Sequence, residues 1–391
     1  MRAQDQEKKG KKPSAYRLAP SRYPIGACES YYAHMAGQGY LLRRAGAVLD
    51  RFERGQPCEL LYRVELCQER EFPQEQRELY EDCGWRYLTR RGVFHIFSAD
   101  PREQPPEIHT DPQIQAGSVG KLRQSCLVNL LCGIFWLIYP FLYFLIQQGQ
   151  GFLEVFVAET GFFLLIEAVL LALLYPAARG AYQSGQLLRR LKRGVPLDHN
   201  TDWTRGRGVH RGICVLLAAL ILCCGGQALR ERLASQTVSL PEEGKGLPLL
   251  LVSETGPFRR ALPEEAIDFV GYSVKLERGS SLLSPEQFHT YELGVAEDGS
   301  GKESWMYQDA YLVRSPQLAL TLARSIAQNS IWMDGLESYD TVESKGLDLV
   351  LLSHMELIAV RGNRVLYITY LGELTTGELV PLAEQKLAQA G

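Results

Sequence analysis

Apolar positions fall into three dense blocks between about residues 126 and 229, and long regions on either side mix apolar and polar positions at strand and helix spacing. The first block, 126–147, reads CLVNLLCGIFWLIYPFLYFLIQ and carries no charge. It is long enough to cross a hydrocarbon core of about 30 Å at 1.5 Å per residue, with Pro140 as a kink point. The second block is 160–178, preceded by an apolar lead-in from Phe152 to Val157. The third, 209–229, contains GICVLLAALILCCGG. The expected fold is α+β plus membrane helices: a tandem βαββ domain at 15–115, three transmembrane helices, and an α+β domain at 240–391.

Lysine and arginine in the short loops set the expected direction. The link between the first two blocks has neither residue. The link at 179–208 holds Arg179, Arg189, Arg190, Lys192, Arg193, Arg205 and Arg207, so it is expected to be cytoplasmic. Lys121 and Arg123 before the first block agree, whereas Arg230 and Arg232 after the third run against the pattern. The expected product is a multi-pass plasma membrane protein with a cytoplasmic N-terminus and an extracytoplasmic C-terminal domain. Residues 1–14 are polar, include Lys8, Lys9, Lys11 and Lys12, and read as a disordered tail rather than a signal peptide.

Between 15 and 98 the pattern runs strand, helix, hairpin, and then the same order again. Cys28, Tyr31, Tyr32, Met35 and Ala36 recur at helical spacing, and Gly37 and Gly39 end that helix. Tyr40 to Leu42 and Val48 to Phe52 form a hairpin. In the second round Tyr62 to Val64 is a strand, and a helix opened by Pro73 uses Leu79, Tyr80 and Cys83. Gly84-Trp85 ends it, and Tyr87-Leu88 pairs with Val93 to Phe97. Gly39-Tyr40 matches Gly84-Trp85, and Phe52 matches Phe97, at an offset of 45 residues. One such unit is too small to bury its sheet face, whereas two share a core. A groove between the halves, with Tyr40 and Trp85 as candidate lining, is expected from this layout, although core packing explains the same aromatics.

The segments YYAHMAGQGYLL from Tyr31, FERG from Phe52, LYRVEL from Leu61 and LYEDCGWRYL from Leu79 resemble domain-of-unknown-function family 2812 over about residues 15–115. Gln38-Gly39-Tyr40 departs from the Gly-Trp form usual at the first helix end. The resemblance implies an uncharacterised bacterial membrane protein with no assigned activity. Its motifs concern packing, not chemistry.

In the C-terminal region, strands are expected at Leu247 to Ser253, His289 to Val295, Ser304 to Val313, Leu347 to Leu352, Met355 to Arg361 and Arg364 to Leu371. A short helix or strand is expected at Glu264 to Val270. Helices are expected at Pro316 to Ser330 and Thr375 to Ala390, both on one face of the sheet. Gly362-Asn363 supplies a two-residue hairpin turn.

Composition adds little to this picture. The 391 residues carry a net charge of −3, so no chain-wide basic footprint of a nucleic-acid binder exists. Residues 1–125 hold 20 basic and 17 acidic groups, while 233–391 hold 12 basic and 22 acidic. The last of the nine cysteines is Cys224, and no Cys-x-x-Cys pair occurs. Free thiols on the reducing side suit the proposed direction. No catalytic constellation, metal site or cofactor motif is expected. His289 and His354, the two histidines of the C-terminal region, are far apart in sequence. Glu167, inside the second block, is the leading polar candidate, with Asn129 as the other intramembrane contact. A carboxylate at that depth is unfavourable unless paired, hydrated or protonated.

The expected function is non-enzymatic: a sensor or transducer linking an outer domain to a cytoplasmic partner-binding domain. The alternative is an accessory subunit of a membrane transport complex. Expected partners are the lipid bilayer, a cytoplasmic regulatory protein and a second copy of the chain, without direct nucleic-acid binding.

Overall fold

The computed structural model describes residues 14–389, apart from 22, 70, 109–110, 147–150, 205–206, 245 and 263–274. The expected tail at 1–14 lies outside the described residues except for Ser14, and the element expected at 264–270 lies wholly outside them. The chain is α+β with three long apolar helices, and it divides into two compact units. One holds residues up to Phe135 with Leu171–Leu217; the other holds Trp136–Leu170 with Ala218–Gly391.

The first unit begins with β1 (Ser14–Leu18), α1 (Ile25–Gly37), β2 (Tyr40–Arg44) and β3 (Leu49–Arg54), an antiparallel sheet in the order β1-β3-β2. It continues with β4 (Leu61–Leu66), α2 (Gln74–Asp82), β5 (Arg86–Arg91) and β6 (Phe94–Ala99), ordered β4-β6-β5. Ile25, Cys28, Tyr32 and Met35 form the buried stripe of α1. Gly39, at φ +79°, turns the chain out of that helix, and an added Cβ would lie 2.7 Å from the Gly55 carbonyl oxygen. Gly84, at φ +91°, stands in the same place after α2. The pairing of β2 with β3 skips Arg43, and that of β5 with β6 skips Leu88. Helix α2 differs from expectation. Tyr80 packs on Phe72 and Phe97, while Leu79 is 60% exposed and Cys83 is also exposed. Leu79 and Cys83 lie four apart on one face, and the aromatic ring on the neighbouring face decides which side is covered.

A buried ion pair joins the two halves of this domain. Asp50 on β3 is fully buried, and Arg91 at the end of β5 donates to both of its oxygens at 3.0 Å. Tyr32 Oη and the Gly46 amide also donate to Asp50, and Arg91 reaches the Pro20 carbonyl at 2.8 Å.

Next come α3 (Pro112–Ile146), α4 (Phe152–Ala158), α5 (Thr160–Lys192) and α6 (Arg207–Ala234). Helices α3, α5 and α6 are long and apolar enough to cross a membrane. Their apolar side chains are largely uncovered: Val215, Leu216 and Leu222 on α6 are 68%, 69% and 76% exposed. The helices outrun the apolar blocks. Helix α3 begins at Pro112 and so takes in Lys121 and Arg123, and α5 continues through Arg179, Arg189 and Arg190. Pro140 and Pro176 lie inside continuous helices.

The second unit continues with β7 (Gln236–Ser239), β8 (Phe258–Arg260), β9 (Lys275–Gly279), β10 (Glu286–Ala296), β11 (Glu303–Leu312), α7 (Pro316–Asn329), β12 (Asp340–Thr341), β13 (Leu349–Leu352), β14 (Glu356–Arg361), β15 (Arg364–Leu371) and α8 (Thr376–Gln389). The strands form one nine-stranded antiparallel sheet, ordered β12-β13-β14-β15-β11-β10-β9-β7, with β8 beside the end of β10. Ser315 caps α7 by accepting from the Leu318 amide, with Pro316 at the first helical position. Gly362, at φ +59°, opens the turn between β14 and β15.

Two expectations are corrected here. The helices lie on opposite faces of the sheet. Leu379, Ala383 and Leu387 of α8 pack with Leu357, Ala359, Leu366 and Ile368, whereas Leu322, Ala323 and Ile326 of α7 pack with Ile358, Val360, Val365 and Tyr367. Strands β14 and β15 are apolar at nearly every position because both of their faces are covered. Residues Leu247 to Ser253 are not a strand. Pro248 has no amide hydrogen to give a ladder, and the buried segment is held by side chains instead. Gln308 binds both the amide and the carbonyl of Leu250, at 2.9 and 2.7 Å, and Glu292 accepts from the Val252 amide at 2.9 Å.

Helix α4 belongs to the core of this unit. Val157 is fully buried among the residues of α7 and the sheet, with Leu153 beside it. Ser281 Oγ donates to the Val157 carbonyl at 2.5 Å.

Replacing Arg91 by Met strands the Asp50 carboxylate in the core, so unfolding of the detergent-solubilised chain should lose about 3–5 kcal/mol. Adding Asp50→Asn should recover part of that loss. A double variant no more stable than Arg91→Met alone would show that the uncompensated charge is not what matters.

Candidate functional site

The antiparallel register of β10 and β11 sets His289 directly opposite Asp309. Period-two alternation puts Tyr307, Asp309 and Tyr311 on one side of β11. These residues line an open cleft of about 340 Å³ in the second unit. Its other walls include Glu154 on α4, Ser235 just after α6, Glu277 and Arg278 on β9, and Phe288 on β10.

Asp309 is the centre of the polar cluster. His289 Nδ1 lies 2.5 Å from Asp309 Oδ1, and Tyr307 Oη donates to Oδ2 at 3.1 Å. The rings of His289 and Tyr307 meet edge to face at 5.0 Å. Because a carboxylate only accepts, the Nδ1 proton faces Asp309, which leaves Nε2 as the second ring nitrogen for other partners. The hydrogen bond and charge of Asp309 raise the His289 pKa, working against burial. Burial, with the Asp309 charge in second place, pushes the Glu154 carboxyl up to about 7. Glu154 Oε1 is buried without a hydrogen-bond partner among the described residues. Burial also raises the Tyr307 and Tyr311 hydroxyls, which therefore remain neutral donors. The arrangement can bind a polar ligand and take up a proton near neutral pH. No His, Cys, Asp and Glu grouping able to hold a metal ion occurs among the described residues.

The residues singled out in the sequence lie elsewhere. Glu167 on α5 is half-buried, with no hydrogen bond or ion pair to it among the described residues, and belongs to the second unit. Asn129 on α3 is exposed and belongs to the first. Trp85 is 1% exposed, packs with Phe97 and Ala99, and donates Nε1 to the Pro106 carbonyl at 2.8 Å. Tyr40 is half-buried in a different cluster, with Arg17 and Arg54 over its ring at 5.0 and 5.6 Å.

A second polar cluster in the first unit had no sequence signal, because its members are 170 positions apart. Glu29 on α1 is 2% exposed; it accepts from the Val64 amide at 2.8 Å and meets His199 Nδ1 at 2.6 Å. Burial raises its pKa. Ser30 Oγ donates to the His199 carbonyl, and Trp203 packs on Tyr31 at 5.3 Å. The segment after α5 is thereby fixed to α1.

Residues 26–131 match the model of a family described as Protein of unknown function (DUF2812). The chain resembles that family from within α1 into α3. The DUF2812 match starts later and ends later than the stretch read from motifs, and it takes in the beginning of the first long helix. No curated protein matches the chain, and no solved structure does.

The Glu154 pKa, about 7 folded against an ordinary 4.5, makes stability depend on pH. A carboxyl raised on folding contributes stability that is fully present below the unfolded value and is lost as pH rises through the folded value. That loss should be on the order of 3 kcal/mol between about pH 4 and pH 8. Glu154→Gln stays neutral throughout, so its melting temperature should exceed the parent's at about pH 8 and approach it at about pH 5. Parallel melting curves across that range would refute the assignment.

Proposed function

We propose that the chain is a non-enzymatic sensor or transducer of a bacterial-type plasma membrane, with the N-terminal domain at 15–115 cytoplasmic and the C-terminal domain at 240–391 outside. The observation that carries this reading is the composition of the cleft wall. Glu154 lies on α4, which only Glu159 separates from α5, and Ser235 directly follows α6. A ligand in the cleft therefore bears on segments continuous with two membrane helices. Glu231 on α6 strengthens that link. Its carboxylate accepts from the Gly161 amide at the start of α5, at 2.7 Å, and from the Leu282 amide, at 2.8 Å.

The topology has two kinds of support. The segment after α5 docks on α1 through His199 and Trp203, which favours one side for both. The segment before α5 packs into the core of the C-terminal sheet, which favours one side for those two. Lys and Arg of the α5–α6 connection favour the cytoplasm for the first pair. In this reading the N-terminal domain is a tandem βαββ repeat that binds a cytoplasmic regulatory protein. Matching positive-φ glycines at 39 and 84, and matching skipped residues at 43 and 88, support the duplication.

Two measurements test the proposal. Ser300→Cys should react with a membrane-impermeant maleimide on intact cells, above the level of the parent chain; labelling only after lysis would reverse the topology. Glu231→Gln in lipid nanodiscs should speed hydrogen exchange at residues 25–37 and 194–204 by about threefold or more. A change confined to residues 218–389 would reject transduction and favour a passive anchor.

A further inference from the structure

Resting on the sensor reading, we propose that the cleft of the second unit binds a small organic ligand carrying a protonated amine, with Glu154 as its counter-ion. Glu154 presents a buried carboxylate oxygen that no described group satisfies, and a buried acceptor of this kind calls for a donor. Both Asp309 oxygens are already engaged, by His289 and Tyr307, so Asp309 adds negative charge while Glu154 supplies the open contact. Glu277 adds a third carboxylate, and the Arg278 guanidinium lies over the Phe288 ring at 5.7 Å. The aromatic side chains of Tyr307 and Tyr311 line the same space, and aromatic faces attract ammonium groups. A volume of about 340 Å³ is at the small end of ligand sites, which fits one amine-bearing molecule rather than a peptide.

Charge linkage makes the proposal specific. Burial and the neighbouring Asp309 hold the Glu154 carboxyl near 7. An ammonium group beside it favours the ionised form, so binding releases a proton when the pH is at or below that value. Above about pH 7 an anionic ligand would meet the Glu154 and Glu277 carboxylates and is disfavoured.

The test is calorimetry on the full chain in nanodiscs of uncharged lipid, with three probes of one skeleton: tyramine, its alcohol analogue tyrosol, and 4-hydroxyphenylacetate. Tyramine should give saturable heat, the other two should not, and Glu154→Gln should weaken tyramine binding by about tenfold or more. At about pH 6 the tyramine heat should differ between buffers of different ionisation enthalpy, as proton release requires. Thermal melting establishes that the variant is folded. Equal tyramine heats from parent and Glu154→Gln, no tyramine heat at all, or a preference for the carboxylate probe would overturn the proposal. Each of those results leaves the hydrogen-exchange test of transduction unaffected, so failure of the ligand and failure of the sensor reading are separable.

Discussion

The Glu231 carboxylate sits where three segments meet that no sheet or helix ladder joins. The amide of Gly161 is among the first of α5 and has no partner within its own helix, and the amide of Leu282 lies in a loop. One carboxylate from the last turns of α6 satisfies both, and Gln227 holds it in place at 3.0 Å. The contact also requires glycine at 161, since an added Cβ would stand 2.6 Å from Glu231 Oε2 and 2.9 Å from the Ala228 amide nitrogen. The same device recurs through the chain. Glu29 takes the Val64 amide, Asp50 the Gly46 amide, and Glu292 the Val252 amide. Charge-assisted bonds to backbone donors of this kind are stronger than neutral ones, and they join elements that apolar packing alone would leave free to slide.

The cleft depends on two levels of organisation. Strand register brings His289 to Asp309, which is local to one hairpin. The packing of α4 brings Glu154 to them, which is not local at all. Glu154 gains its raised pKa from that second step, because burial is the main cause. The polar chemistry of the second unit and the packing of the segment that leads into α5 therefore share one short helix, α4.

Much of the fold was legible from periodicity. The strands β10, β11, β14 and β15, the helices α7 and α8, and the three apolar helices all carry strong patterns over enough residues to be recognised. The short, polar β7, β9 and β12 carry none. The segment at 247–253 had a strand's composition, but its hydrogen bonds come from the side chains of Gln308 and Glu292, which no local pattern encodes. Placement of α7 and α8 on opposite faces was recorded in the two-sided apolar character of β14 and β15, a signal that reading for alternation passes over. The site was less legible. Hydropathy draws attention to Glu167 because it interrupts a long apolar run, whereas Glu154 falls in the short lead-in at 152–157 ahead of that block. Depth in a sequence block measures composition; the unsatisfied oxygen of Glu154 arises from contacts with strands more than a hundred positions later.

The burial of Val157 against α7 bears on the order in which the molecule is made. The ribosome delivers α4 long before the sheet that covers it. Until β10 to α7 have emerged, Val157 and Leu153 have nothing to pack against, and the first two apolar helices must wait with an unfinished connection between them. An excised C-terminal fragment meets the opposite problem, for it arrives complete in sequence yet lacks part of its own core.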